Sequence, residues 1–167
     1  MLFELKNKNT LLIDDFIMKC SIGKNGIKKK KKEGDKSTPK GIFKLENLYY
    51  RPDRVKKPFT KISTKKITPK MGWCDDPGSI FYNKEISIKN QIKCERLFRK
   101  DNSYDYLIVI NYNRNKILRG KGSAIFVHCS FSDSRETAGC VSVMKKDLIL
   151  LTKNISNKAY LEIKNNF

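Results

Sequence analysis

Residues 123–142 read Ser-Ala-Ile-Phe-Val-His-Cys-Ser-Phe-Ser-Asp-Ser-Arg-Glu-Thr-Ala-Gly-Cys-Val-Ser. The stretch opens on a strongly apolar, branched and aromatic run, Ser123 to Cys129, which predicts a buried strand. His128, the only histidine of the chain, closes that run, and Cys140 follows behind a glycine. Working outward, Tyr106 to Asn111 is a second buried strand of the same kind. Thr10 to Ile22 alternates apolar and polar residues with a shift of register at Asp14-Asp15, which predicts a half-buried strand with a bulge. Gly23-Lys24-Asn25-Gly26 is a turn. Ile42 to Leu45 is a short strand, residues 51–70 hold strands and connections, and Ala159 to Ile163 alternates again and is placed to close a sheet. Ile92, Leu97 and Phe98 predict a short helix over 92–102, and the apolar spacing of Lys145 to Ile155 predicts another. Many short strands and few helices give a mainly β fold, a sandwich or partial barrel with short peripheral helices, spanning residues 1–167 as a single domain.

Composition narrows the partners. The chain has 167 residues, 39% of them hydrophobic, and a formal net charge of +19. A balance this basic raises nucleic acid, an anionic membrane or an acidic polymer as partners. The charge is carried mostly by lysine, however, and lysine reads phosphate geometry less specifically than arginine. Lysine, isoleucine and asparagine are over-used together, as AT-rich codons would make them. The run Lys28 to Lys32 sits inside the folded region, where it reads as a solvated loop or edge strand. No specific nucleic-acid partner is expected.

The five cysteines, Cys20, Cys74, Cys94, Cys129 and Cys140, are odd in number and form no CxxC pair, so neither a zinc knuckle nor a redox motif is indicated. No metal or organic cofactor is implied. The start lacks the basic, apolar and small-residue pattern of a secretory signal, and no apolar stretch is long enough for a transmembrane segment. By sequence the chain is expected to be cytoplasmic and a monomer.

A thiolate is the nucleophilic form of cysteine, so a catalytic Cys140 needs a group that takes its proton. Imidazole suits that task near neutral pH, which makes His128 the candidate base. Gly139 permits a close backbone approach, and the N–H groups of Gly139 and Cys140 are candidates to face a developing oxyanion. The competing reading makes His128 a satisfied strand-end residue and Cys140 a small buried hydrophobe. Trp73, Asp75 and Asp76 lie in the unusual stretch Gly72-Trp73-Cys74-Asp75-Asp76-Pro77. The acids are candidates to receive an amine or a cation. Alternatively, Asp76-Pro77 starts a turn and Trp73 packs in the core.

Three ordered motifs resemble the YkuD-type L,D-transpeptidase catalytic domain. In that family a strand-end histidine is followed by a variable loop, then Ser or Thr, His, Gly, Cys and an aliphatic residue. His128, Thr137, Gly139, Cys140 and Val141 match these positions. The Thr38-Pro39-Lys40-Gly41-Ile42-Phe43 stretch after Glu33-Gly34-Asp35 resembles the family's Thr-Pro-x-Gly-x-Phe segment. The Gly72–Pro77 motif with Tyr82-Asn83, and Arg119-Gly-Lys-Gly-Ser-Ala-Ile-Phe126, resemble a branch of short proteins without export signals. The resemblance covers roughly residues 10 to 155.

The resemblance implies a YkuD-like fold and a Cys140 thioester, with His128 as base, oriented by the main-chain carbonyl of Cys129. Ala138 departs from the pattern, where most members have histidine, and the loop before Cys140 is shorter than typical. Ser142 departs too, since many members carry Arg or Asn there to hold substrate. Arg135 is the candidate carboxylate clamp in its place. The resemblance further implies a peptidoglycan stem peptide, or a related peptide, as substrate. That polymer lies outside the inner membrane, which stands in tension with the absence of a signal peptide. Three functions remain open: L,D-transpeptidation, hydrolysis of the same thioester as an L,D-carboxypeptidase or amidase, and non-catalytic binding of an anionic polymer or nucleic acid by a basic module.

Overall fold

The computed structural model describes residues 1–29, 32–89, 93–130 and 136–164. In chain order these form β1 (Leu2–Asn7), β2 (Thr10–Ile13), β3 (Phe16–Ser21), β4 (Ile27–Lys28), β5 (Thr38–Pro39), β6 (Gly41–Tyr50), β7 (Thr64–Lys66), β8 (Met71–Cys74), β9 (Glu85–Ser87), β10 (Cys94–Arg96), β11 (Tyr106–Ile110), β12 (Phe126–Ser130), β13 (Val141–Met144), α1 (Lys145–Asn154) and β14 (Tyr160–Ile163).

The long strand β6 turns a sheet into a barrel. Its first residues, Gly41 to Lys44, pair antiparallel with β14, and Leu45 to Tyr50 pair antiparallel with β11. The other strands follow in the order β11, β12, β13, β3, β2, β1, β14, so the ladder returns on itself through β6. A register shift between Ile108 and Ile110 marks the bend where β6 and β11 meet. The neighbours β1–β14 and β12–β13 run parallel, and a separate three-stranded sheet, β10-β8-β9, lies outside the ring.

The apolar run in β11 is explained by burial on both faces. Tyr106, Ile108 and Ile110 point into the barrel with Phe3, Leu5, Leu45, Val127, Val143 and Leu161. Leu107 and Val109 face outward into a second apolar cluster with Tyr49, Trp73, Leu97, Tyr104, Phe126 and Cys140. Strand β12 splits in the same way. Val127 and Cys129 go inward, Phe126 goes outward, and period-two alternation puts His128 on the outward side with Phe126.

The mainly β reading holds, with the ring closed and α1 the one helix among the described residues. That helix falls where its spacing placed it, with Leu148 and Leu151 buried on one face. Other expectations change. Thr10 to Ile22 is a hairpin rather than one bulged strand: Ile13 pairs with Phe16 across Asp14-Asp15, and Asp14 takes φ 48°, a conformation that aspartate tolerates in turns. The expected helix over 92–102 is absent from residues 93–102; Cys94–Arg96 is instead an edge strand on β8, with Cys94 opposite Cys74. The strand expected from Ser123 begins at Phe126, because Gly122 and Ala124 both have positive φ. Strand β1 had no counterpart in the sequence reading. In the lysine run, Lys28, Lys29 and Lys32 are exposed, and residues 30 and 31 lie outside the described residues. No helix among the described residues is long and apolar enough to cross a membrane.

Candidate active site

Cys140 is the last residue before β13, on a turn held by three distant segments. Gly139 has φ 136°, where a side chain rarely fits. The Thr137 hydroxyl donates to the Cys140 carbonyl at 2.6 Å and accepts the Gly139 N–H at 3.1 Å. That N–H is therefore used inside the turn, which corrects the expectation that it faces an oxyanion. Thr137 lines the cavity, but its hydroxyl is committed to the turn rather than to a ligand. From β5, Thr38 donates its hydroxyl to the Gly139 carbonyl at 3.0 Å and accepts the Gly23 N–H at 2.8 Å. A Cβ on Gly23 would meet the Lys36 carbonyl oxygen at 2.6 Å and the Thr38 nitrogen at 2.8 Å, so only glycine allows this crossing.

The thiol lies against a backbone shelf formed by residues 124–126. Phe126 N–H donates to Cys140 Sγ at 3.4 Å, and Sγ–H donates to the Ala124 carbonyl at 3.3 Å. Ala124 takes φ 52° and is held through its N–H, which donates to Asn83 Oδ1 at 3.2 Å. The same Oδ1 accepts Trp73 Nε1–H at 2.9 Å, while Asn83 Nδ2 donates to the carbonyls of Tyr112 (3.1 Å) and Asn113 (2.8 Å). Trp73 packs edge-on against Phe126 and Tyr49. The indole is fully buried and does not line the cavity; its contacts are those of the core-packing alternative, supporting the shelf. Asp76 takes the turn alternative. Its carboxylate accepts the Gly78 N–H at 2.9 Å and its carbonyl accepts Ser79 N–H, the turn that Asp76-Pro77 allowed.

His128 presents Nδ1 to the Cys129 carbonyl at 2.9 Å. A carbonyl only accepts, so Nδ1 carries the proton and Nε2 keeps a lone pair. Burial lowers the imidazole pKa to about 4, only partly opposed by that hydrogen bond, so the ring is neutral at pH 7. The Cys129 thiol points to the Tyr106 carbonyl, and burial pushes its pKa up to about 12, so this sulfur is inert. Tyr104, which the sequence did not single out, packs edge-on to the His128 ring at 5.4 Å between centroids. Its hydroxyl donates to Glu95 at 2.9 Å, and Arg99 binds Glu95 and Asp101 while lying over the Tyr104 ring.

His128 and Cys140 open on one cavity of about 850 Å³. Ser142, opposite His128 on the parallel neighbour strand, also lines it, as do Asp75 and Glu33. Glu33 accepts hydroxyl hydrogen bonds from Tyr82 and, at 2.8 Å, from Ser123. Arg135 lies outside the described residues. Among the described residues no group of three or more His, Cys, Asp or Glu side chains is set to hold a metal ion.

Comparison with known proteins gives a family and a fold. The profile of the YkuD family, the L,D-transpeptidase catalytic domain, matches residues 2–163. The helical cell shape determining protein Pgp2 from Campylobacter jejuni superposes with TM-score 0.51 at 17% identity, over 99% of this chain and 47% of that one. Bdellovibrio bacteriovorus Bd1075 gives TM-score 0.48 at 16% identity, over 98% and 47%. The chain thus spans about half the length of these solved structures. No curated protein matches it.

Proposed function

The chain belongs to the YkuD family of L,D-transpeptidase catalytic domains, and from that premise we propose that it transfers acyl groups on peptidoglycan-type peptides through a thioester on Cys140. The observation that carries this reading is the shared cavity: a buried thiol on a fixed turn, and a neutral imidazole with Nδ1 bound to the Cys129 carbonyl. His128 Nε2 takes the thiol proton, and the hydrogen bond from Phe126 N–H to Sγ favours the charge that develops on sulfur. The thiolate attacks the carbonyl carbon of a diamino-acid residue linked to a D-amino acid. As the tetrahedral adduct collapses, the C–N bond breaks, and the departing amine takes the proton held by His128. The remaining C–S bond is the thioester. An amine acceptor then attacks that carbonyl, gives its proton to His128, and the thiol is restored.

Ser142 lines this cavity beside the base, opposite His128 on the neighbouring strand. Incubation with disaccharide-tetrapeptide fragments, followed by mass spectrometry, tests the reading. The expected products are a released D-amino acid and a cross-linked dimer, both absent with Cys140→Ala. Release without a dimer would make water the acceptor and the enzyme a carboxypeptidase. Unchanged peptides together with an unreactive Cys140 would overturn the acyl-transfer reading.

A further inference from the structure

Two side chains lining the active cavity carry a buried polar atom without a hydrogen-bond partner: Asp75 Oδ1 and Ser142 Oγ. Ser142 is only 2% exposed, so bulk water does not substitute for the missing partner. Folded proteins satisfy such atoms almost everywhere, and an orphan calls for a specific explanation. Both side chains line the cavity, so a ligand bound there is the candidate partner.

The surroundings of Asp75 specify the ligand's charge. Burial works most strongly against charge on Asp75; the Lys93 ammonium opposes that, and the Glu33 and Asp76 carboxylates add to it, so one cation faces three carboxylates, of which Asp75 and Glu33 lie on the cavity. The Glu33 carboxylate is fixed in place by the hydroxyls of Tyr82 and Ser123 and by the Gly34 N–H at 3.2 Å. Ser123 directly precedes Ala124, whose carbonyl receives the Cys140 thiol. Through Ser123, Glu33 is thus tied to the shelf under the nucleophile. Two carboxylates on a cavity wall, one with an oxygen awaiting a donor, suit a group with a positive charge and several N–H donors.

We propose that Asp75 and Glu33 receive a protonated primary amine of the peptide substrate, while Ser142 Oγ binds a polar atom of the same substrate beside His128. This rests on the acyl-transfer reading for the identity of the substrate. The amine belongs either to the diamino residue of the acyl donor or to the acceptor.

Calorimetric titration of the Cys140→Ala protein with two peptides tests the site independently of catalysis. One is a stem tetrapeptide with a free side-chain amine, the other its N-acetylated form. The free amine is expected to bind about tenfold more tightly, with that preference shrinking to less than about threefold when Asp75→Asn is added. Equal binding of the two peptides, no binding of either, or a preference that survives Asp75→Asn would overturn the proposal. Ser142→Ala is expected to weaken both peptides alike, and unchanged binding would remove Ser142 from the site. Intact-mass measurement of the thioester on the unmutated enzyme then separates the sources. Acetylation of the donor slows thioester formation if the donor's amine is bound; if the acceptor's is bound, Asp75→Asn leaves thioester formation unchanged and slows its resolution by the unmodified acceptor. An enzyme that prefers the free amine yet never forms a thioester would keep the amine site and lose the acyl-transfer reading.

Discussion

The two apolar clusters share strand β11 as a common wall, yet they are built differently. The barrel interior is mostly aliphatic, and its residues sit at alternate positions along β1, β2, β11, β13 and β14. The outer cluster mixes the rings of Tyr49, Trp73, Tyr104 and Phe126 with aliphatic side chains and is assembled from β6, β8, β11, β12 and irregular segments between them. Its rim carries the polar atoms: Asn83 under Ala124, Glu95 on Tyr104, and the thiol itself. The interior holds the fold, whereas the outer cluster holds a few groups in fixed positions. That division leaves room for chemistry only where packing and polar contacts meet.

The largest effect that separates the two is on turnover. Cys140→Ala is expected to lower the rate of peptide conversion by at least about a thousandfold. Its thermal unfolding midpoint should stay within about 2 °C of the parent, because one buried thiol is lost from a rim. A large drop in the midpoint would show that the outer cluster also carries the fold. Next come Ile108→Ala and Leu107→Ala, which truncate opposite faces of β11. Each should cost about 2–5 kcal/mol in denaturant unfolding. Leu107→Ala alone should lower conversion further than the loss of folded protein explains, and equal specific activities would erase the distinction.

Acid is a milder probe of the outer cluster. The unfolded chain takes up a proton on His128 near the ordinary value of 6.5, whereas the folded chain does so only near 4. Stability contributed by the neutral ring is complete above 6.5 and is lost as pH falls towards 4, up to about 3 kcal/mol. Unfolding measured between these values should show that slope, and His128→Gln should flatten it. The acid limb of the rate should likewise fall near 4 rather than 6.5. The smallest effect is expected from Thr38→Val, which leaves the Gly23 N–H and Gly139 carbonyl unpaired at a cost of about 1–3 kcal/mol. Cys140 alkylation and peptide conversion should both change, and a silent variant would show that Thr38 does not fix the turn.

The same contrast decides what the sequence revealed. The interior strands were legible because alternation is a local signal, as in Ile42 to Leu45 and Ala159 to Ile163. Strand β1 escaped because Lys6 and Asn7 make its end polar. The expected helix at 92–102 failed because three residues at an edge follow their neighbour, β8, rather than their own spacing. In the site, His128 and Cys140 stood out as residue types. Asn83, Thr38, Glu33 and Tyr104 did not, since each acts across a gap in the chain, up to the 101 positions between Thr38 and Gly139. Trp73 and Asp76 were noticed for their rarity, and the hydrogen bonds around them give both a structural task.

The position of β14 has a consequence for synthesis. Tyr160–Ile163 are among the last described residues to leave a ribosome, yet they form the strand between β1 and β6. Until they emerge, the nascent ring is one strand short and presents two bare edges, one on each side of the gap. Open edges of this kind invite pairing with another chain. Release of residues 160–163 is therefore the event that converts a sticky, open sheet into a sealed one, and any delay in elongation before that point lengthens the hazardous interval.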